Sequence, residues 1–202
     1  MPAGRDGVKP KGPQALYSEP NIITLARLAG SLAFFALAVL CGRELYNFIG
    51  LGVHWLGDVA DGWYARTFRQ ETVLGAEIDI IADRVESLFF FVNFIHFHPA
   101  LCLPVIVYIL DFAFVDFYLS YQFVKYDIIS INYFGRVDRR VYALNFSSPA
   151  KFCNSTVPPL ILIFFPKLWS LALAGALALI AVKVYSISLL WKKRAAPPPS
   201  SA

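Results

Sequence analysis

The sequence predicts an all-α integral membrane bundle of six transmembrane helices with both termini cytosolic. Three observations carry that expectation. First, 57% of the 202 residues are hydrophobic and only 16% charged, against roughly 25% charged in a soluble domain. Mean hydropathy is +0.56, and so little polar side chain cannot coat a water-soluble globule. Second, six apolar stretches follow one another between two polar ends; six spans of about 20 residues use about 120 residues, leaving no room for a separate soluble catalytic domain. Third, the basic residues divide unequally between the two sides of that topology, as the positive-inside rule requires.

In chain order, residues 1–20 hold four prolines and three basic residues with few large apolar ones, and are expected to form a disordered cytosolic tail. They are not read as a secretory signal, because the following apolar stretch is long and no small-residue cleavage site closes it. Spans are expected over 22–41, 46–65, 74–97, 100–124, 157–165 (extended upstream) and 168–191, with Pro158 and Pro159 interrupting the fifth. Residues 195–202, rich in proline and serine, form a second disordered tail, leaving 21–194 as one six-helix domain. This topology gathers Arg5, Lys9, Lys11, Arg27, Arg66, Arg69, Lys125, Arg136, Arg139, Arg140, Lys151, Lys192, Lys193 and Arg194 on the cytosolic side, with only Arg43 and Lys167 opposite. Arg84 and Lys183 fall inside spans. The same rule accounts for a pI near 9.0 without nucleic acid as a partner. Cys41, Cys102 and Cys153 offer neither a metal spacing nor a disulfide framework.

The chemistry concentrates in residues 58–83. Asp58 and Asp61 lie three apart at the end of the second span, and Asp79 and Asp83 four apart on the third, so each pair shares a helix face. The short connection after Arg66 makes the two helices antiparallel neighbours, and Gly62, Ala65 and Gly75 are small enough to let them close up. Four aspartates thus converge. Each costs roughly 2.5–3.5 kcal/mol in mid-membrane, so four approach ~10 kcal/mol before their mutual repulsion. Divalent cations offset both costs. Oxygen donors with no His or Cys partner favour Mg²⁺ or Mn²⁺, one ion or two, over Zn²⁺. Magnesium is commonly held jointly with substrate phosphates, which points to a phosphorylated lipidic substrate with Arg66 and Arg69 at the mouth of the site. The structural alternative is an ion-pair network of the aspartates with Arg66, Arg69 and Arg84. His54, one turn before Asp58, reads as a hydrogen-bonded helix histidine rather than a ligand.

The segment resembles the signature of the CDP-alcohol phosphatidyltransferases: Asp58, Asp61, Gly62, Ala65, Arg66, Gly75, Asp79 and Asp83 occupy every specified position with every gap intact. Asn21, Thr24 and Arg27 are similar to that family's first-helix entry. The resemblance implies an enzyme that transfers a phosphatidyl group from CDP-diacylglycerol to the hydroxyl of a small alcohol, phosphorylated or not, releasing CMP in phospholipid biosynthesis. It implies two Mg²⁺ (or Mn²⁺) ions on Asp58, Asp61 and Asp79, with Asp83 as general base and further ligand. Gly62, Arg66, Thr72, Asn21 and Thr24 would meet the CDP-lipid, and the enzyme would be a homodimer in a plasma membrane of bacterial type, its site facing the cytosol.

For the acceptor the expected contacts are Lys151, Arg136, Arg139 and Asp111; the basic residues also suit anionic lipid headgroups, and Asp111 and Asp116 also suit pairing with Arg84 or Lys183. Two other functions use the same aspartates: an intramembrane Mg²⁺-dependent prenyltransferase and a divalent-cation transporter. The first needs its acidic motifs on helices distant in sequence; the second needs acids along the whole bilayer path, whereas here they crowd into one half.

Overall fold

The computed structural model describes Gly7 and residues 16–195, with Ala195 by its backbone alone. The expected disordered tails therefore lie for most of their length outside the described residues. Where they overlap, α1 (Glu19–Cys41) already begins inside the first, with Pro20 in its opening turn, a position that needs no N–H donor. It ends at Gly42, whose φ of 61° is the left-handed conformation glycine adopts freely. The N–H of Arg43 then returns to the Ala38 carbonyl at 3.0 Å, and α2 (Glu44–Thr67) runs back alongside α1. After a short connection, Thr72 caps α3 (Val73–Phe97) by accepting from the Gly75 N–H at 2.9 Å.

Two glycines on one face of α2 set how closely it approaches α1. A Cβ on Gly50 would lie 2.5 Å from the Phe35 ring, and one on Gly57 2.5 Å from the Cβ of Arg27. The expected contact residues Gly62 and Gly75 do something else. Gly62 makes room for the Arg66 guanidinium one turn on, and Gly75 for the side chains of Asn21 and Thr72. At the far end an asparagine pair locks the three helices: Asn47 donates to the Phe90 carbonyl, and Asn93 to the Phe35 carbonyl and to Asn47 Oδ1. Backbone carbonyls tied across helices in this way cannot be released into an apolar phase without cost.

The helical stretch α4 (Pro99–Lys125) contains a π-helical segment, Leu110–Asp116. Asp111 and Asp116, five apart, would stand about 140° from each other around an ideal α-helix. The wider π turns bring both onto the side that faces α7 (Trp169–Ala195), where Lys183 meets them. Between α4 and α7 the chain forms a 3₁₀ segment (Ile131–Arg136), a turn capped by Asp138, a π segment (Tyr142–Phe146), and the short helices α5 (Ser148–Ser155) and α6 (Val157–Phe164). The expected fifth span is thus divided at Thr156, because Pro158 and Pro159 cannot donate to the carbonyls of the preceding turn.

Two apolar cores hold the bundle. Phe35, Phe90, Phe94, Val105 and Tyr108 centre one, and Ile80, Leu119, Phe123, Phe134 and Leu190 the other. On α3 they lie on either side of Asp83. Among the described residues the regular structure is all helical, and three helical stretches are long and apolar enough to cross a membrane: Glu19–Cys41, Pro99–Lys125 and Pro166–Arg194. α2 and α3 have the length, at 24 and 25 residues, but their acidic inner faces lower their hydropathy. Leu40, Leu56 and Trp191 are among the apolar side chains turned outward, the arrangement of a protein whose exterior meets lipid rather than water.

Candidate active site

Three helices each contribute one stripe. α1 supplies Asn21, Thr24 and Arg27 at three-residue intervals; α2 supplies Asp58 and Asp61; α3 supplies Asp79, Asp83 and Glu86. Asp58, Asp61 and Asp79 each place a carboxylate oxygen within 4.8 Å of the others. Asp83 lies just beyond, close to His54 and Glu86. Thr24 Oγ1 donates to Asp61 at 2.7 Å, which fixes that carboxylate in its buried position.

The cation that enters this cluster is Arg27, counted above with the cytosolic loops but held within α1. Its Nη2 donates to Asp79 at 2.9 Å and Asp83 at 2.7 Å, and its Nη1 stands 3.1 Å from Asp58. Its Nε is 3.6 Å from both Asp61 and Glu86. The ion pairs of the cluster run to Arg27 rather than to the Arg66, Arg69 and Arg84 of the structural alternative: Arg84 turns to Asp116 and stacks over Phe112 with 3.8 Å to the ring centroid. Glu86 is fully buried behind Arg27, accepting from Ser31 at 2.6 Å and paired with His54 Nδ1 at 2.8 Å. His54 is therefore the hydrogen-bonded histidine expected. Glu86 was missed by the sequence reading, although it continues the stripe of Asp79 and Asp83 by one further turn.

Five carboxylates around one guanidinium leave the cluster strongly anionic. Hard oxygen donors converging on one point, with no sulfur among them, are the donor set of Mg²⁺ or Mn²⁺. The residues fit such an ion, and Asp58, Asp61 and Asp79 are those whose oxygens stand close enough to share one.

Two cavities open onto the cluster. The smaller, about 90 Å³, is walled by Asn21, Thr24, Asp61, Gly62, Arg66, Thr72, Gly75 and Asp79. The larger, about 430 Å³, is walled by Asp58, Asp79, Asp83, Arg84, Asp116, Asn145, Lys151 and Asn154 among others. They share Gly62, Arg66, Ala76, Asp79, Ser130 and Asn132, so Arg66 and Asp79 face both. Asn21, Thr24, Gly62, Arg66 and Thr72, read from sequence as one set, are brought together along the smaller cavity. Ser130 and Asn132, on the connection after α4, were not foreseen, and no spacing pattern marks them.

The residues expected at the acceptor divide. Lys151 is on the wall of the larger cavity, donating to Asn132 Oδ1 at 2.6 Å. Asp111 is not: it is fully buried, 2.6 Å from Lys183, and lines neither cavity. Arg136 and Arg139 are also absent from both walls. Arg136 lies over the Tyr133 ring, and Arg139 is exposed on the turn that Asp138 caps. Tyr133 itself donates to Glu71 at 2.8 Å; burial, then that bond, pushes its phenol above the usual range.

A family model described as CDP-alcohol phosphatidyltransferase matches residues 17–186, which includes every residue of the cluster and both cavity walls. No curated protein and no solved structure matches the chain.

Proposed function

The chain belongs to the CDP-alcohol phosphatidyltransferase family, and on that premise we propose that it transfers a phosphatidyl group from CDP-diacylglycerol to the hydroxyl of a small alcohol, releasing CMP. The convergence of Asp58, Asp61 and Asp79 beside two cavities that meet at Arg66 is the observation that supports this reading. The smaller cavity takes the nucleotide end, with Asn21, Thr24, Gly62, Arg66 and Thr72 around it. The larger takes the acceptor, with Lys151 as the cation for an acceptor phosphate.

Asp58, Asp61, Asp79 and Asp83 are the proposed holders of two Mg²⁺ or Mn²⁺ ions. Five carboxylates meet one guanidinium, with His54 beside Glu86 alone, an excess of anionic groups that divalent cations would offset. When bound, such ions neutralise the diphosphate and the departing CMP. Arg66, facing both cavities, holds the diphosphate oxygens. Asp83, on the wall of the larger cavity, accepts the acceptor's hydroxyl proton. The hydroxyl oxygen then bonds to the lipid-side phosphorus, the bond from that phosphorus to the CMP oxygen breaks, and its electrons leave with CMP.

The domain spans 21–194 and crosses the membrane six times with both termini cytosolic, a topology supported by thirteen of eighteen basic residues on one side once the enclosed Arg27 is set aside. It works as a homodimer in a plasma membrane. The test of the reaction is Asp83→Asn: CMP release from CDP-diacylglycerol is lost with every acceptor, while Mn²⁺-dependent binding of the CDP-lipid persists. Turnover like that of the unmodified enzyme removes Asp83 as the base.

A further inference from the structure

We propose that Arg27 is the positioning residue of the acidic cluster: a fixed cation that spaces Asp58, Asp79 and Asp83 and limits how tightly the cluster holds a divalent ion. This rests on reading the cluster as a divalent-cation site.

The geometry supports it from three directions. One planar group spans carboxylates of both α2 and α3, Nη2 alone bridging Asp79 and Asp83. Nη2 makes the hydrogen bonds, while Nη1 and Nε meet Asp58, Asp61 and Glu86 as ion-pair contacts without a hydrogen bond, so the rigid guanidinium plane sets where those carboxylates sit relative to one another. The stem of Arg27 is fixed as well. It is laid against the bare backbone of α2 at Gly57, where a Cβ would come within 2.7 Å of its Cδ as well as 2.5 Å of its Cβ. Behind it stands Glu86, itself held by Ser31 and His54. The side chain is 2% exposed, and Arg27 lines neither cavity. A group so enclosed acts on substrate through the aspartates, not by touching it.

A positive charge among carboxylates has two effects that separate experimentally. It competes with a divalent cation for the same oxygens, and it aligns those oxygens. Arg27→Gln removes both the charge and the fork; Arg27→Lys keeps the charge and removes the fork. Direct Mn²⁺ binding and CMP release are measured on the full chain in detergent, with a thermal scan of each variant. For Arg27→Gln the expected result is Mn²⁺ held about tenfold more tightly, as a competing charge within the same site is lost, with kcat reduced about a hundredfold at saturating Mn²⁺. For Arg27→Lys, Mn²⁺ affinity stays within about threefold while kcat falls by a similar factor, because only the alignment is lost. Gly57→Ala displaces the stem without altering any charge and repeats the lysine pattern; it carries the test if Arg27→Gln does not fold.

Weaker Mn²⁺ binding in all three variants, in step with a lower unfolding temperature, would show a merely structural residue and overturn the inference. So would unchanged kcat in Arg27→Lys and Gly57→Ala. If the unmodified protein binds no Mn²⁺, it is the cation-site reading that fails, a result separate from any effect of Arg27.

Discussion

Two groups of acids lie inside one bundle, the first half-open to its cavities and the second enclosed, and they are balanced in opposite ways. Around Arg27, five carboxylates meet one guanidinium. Around Lys183, two carboxylates meet two cations: Lys183 is 2.6 Å from Asp111 and 3.1 Å from Asp116, and Arg84 completes Asp116. Both are expensive to bury. The second settles its charge internally and presents no anionic surplus. The first has more carboxylates than cations in direct contact with it, His54 meeting only Glu86, and it borders both cavities. Position in the membrane therefore does not by itself mark an acidic residue as a reaction centre; an uncompensated charge facing a cavity does.

The largest effect that could break this contrast comes from Asp79→Asn. Turnover should fall at least ~10³-fold, since the proposed divalent-cation site loses one of its carboxylates. The unfolding temperature measured without divalent ions should hold or rise, because one repelling charge is removed. A large drop in that temperature would make the cluster structural, like its counterpart. Next comes Lys183→Met, which strands two buried carboxylates with Arg84 alone. Loss of one partner of a buried pair costs about 3–5 kcal/mol, read as a lower unfolding temperature, and adding Asp111→Leu should recover most of it. If Lys183→Met instead abolishes CMP release with no loss of stability, the balanced group takes part in the reaction. The smallest effect is Lys151→Ala, on the cavity wall that reaches toward both groups. KM for a phosphorylated acceptor should rise about tenfold with little change for an unphosphorylated one; equal losses on both would end its role as a phosphate contact.

How much of this was legible beforehand differs between the two groups for a physical reason. The aspartates of α2 and α3 repeat at three and four residues, the α-helical period, on helices joined by a short connection, so their convergence can be read from spacing. Arg27 sits on the same period in α1, but its choice of partners depends on Gly57 admitting its stem, a contact between distant positions. For Asp111 and Asp116 the sequence left acceptor contact and pairing with Arg84 or Lys183 both open; the structure shows the pairing, and the π segment brings both acids to one side. The six apolar stretches correspond to helices, whereas the break at Thr156 and the polar faces of α2 and α3 leave three that qualify as spans by length and hydropathy. Ser130 and Asn132 reach the cavities from the start of the short 3₁₀ segment after α4, a stretch too short to show an apolar period.

The turn at Gly42 and the short link before Thr72 confine every side chain of the Arg27 cluster to residues 27–86. In chain order, every residue of that cluster precedes the first residue of α4. The anionic centre is thus a short-range assembly of three consecutive helices, whereas the Lys183 group needs α3, α4 and α7 together.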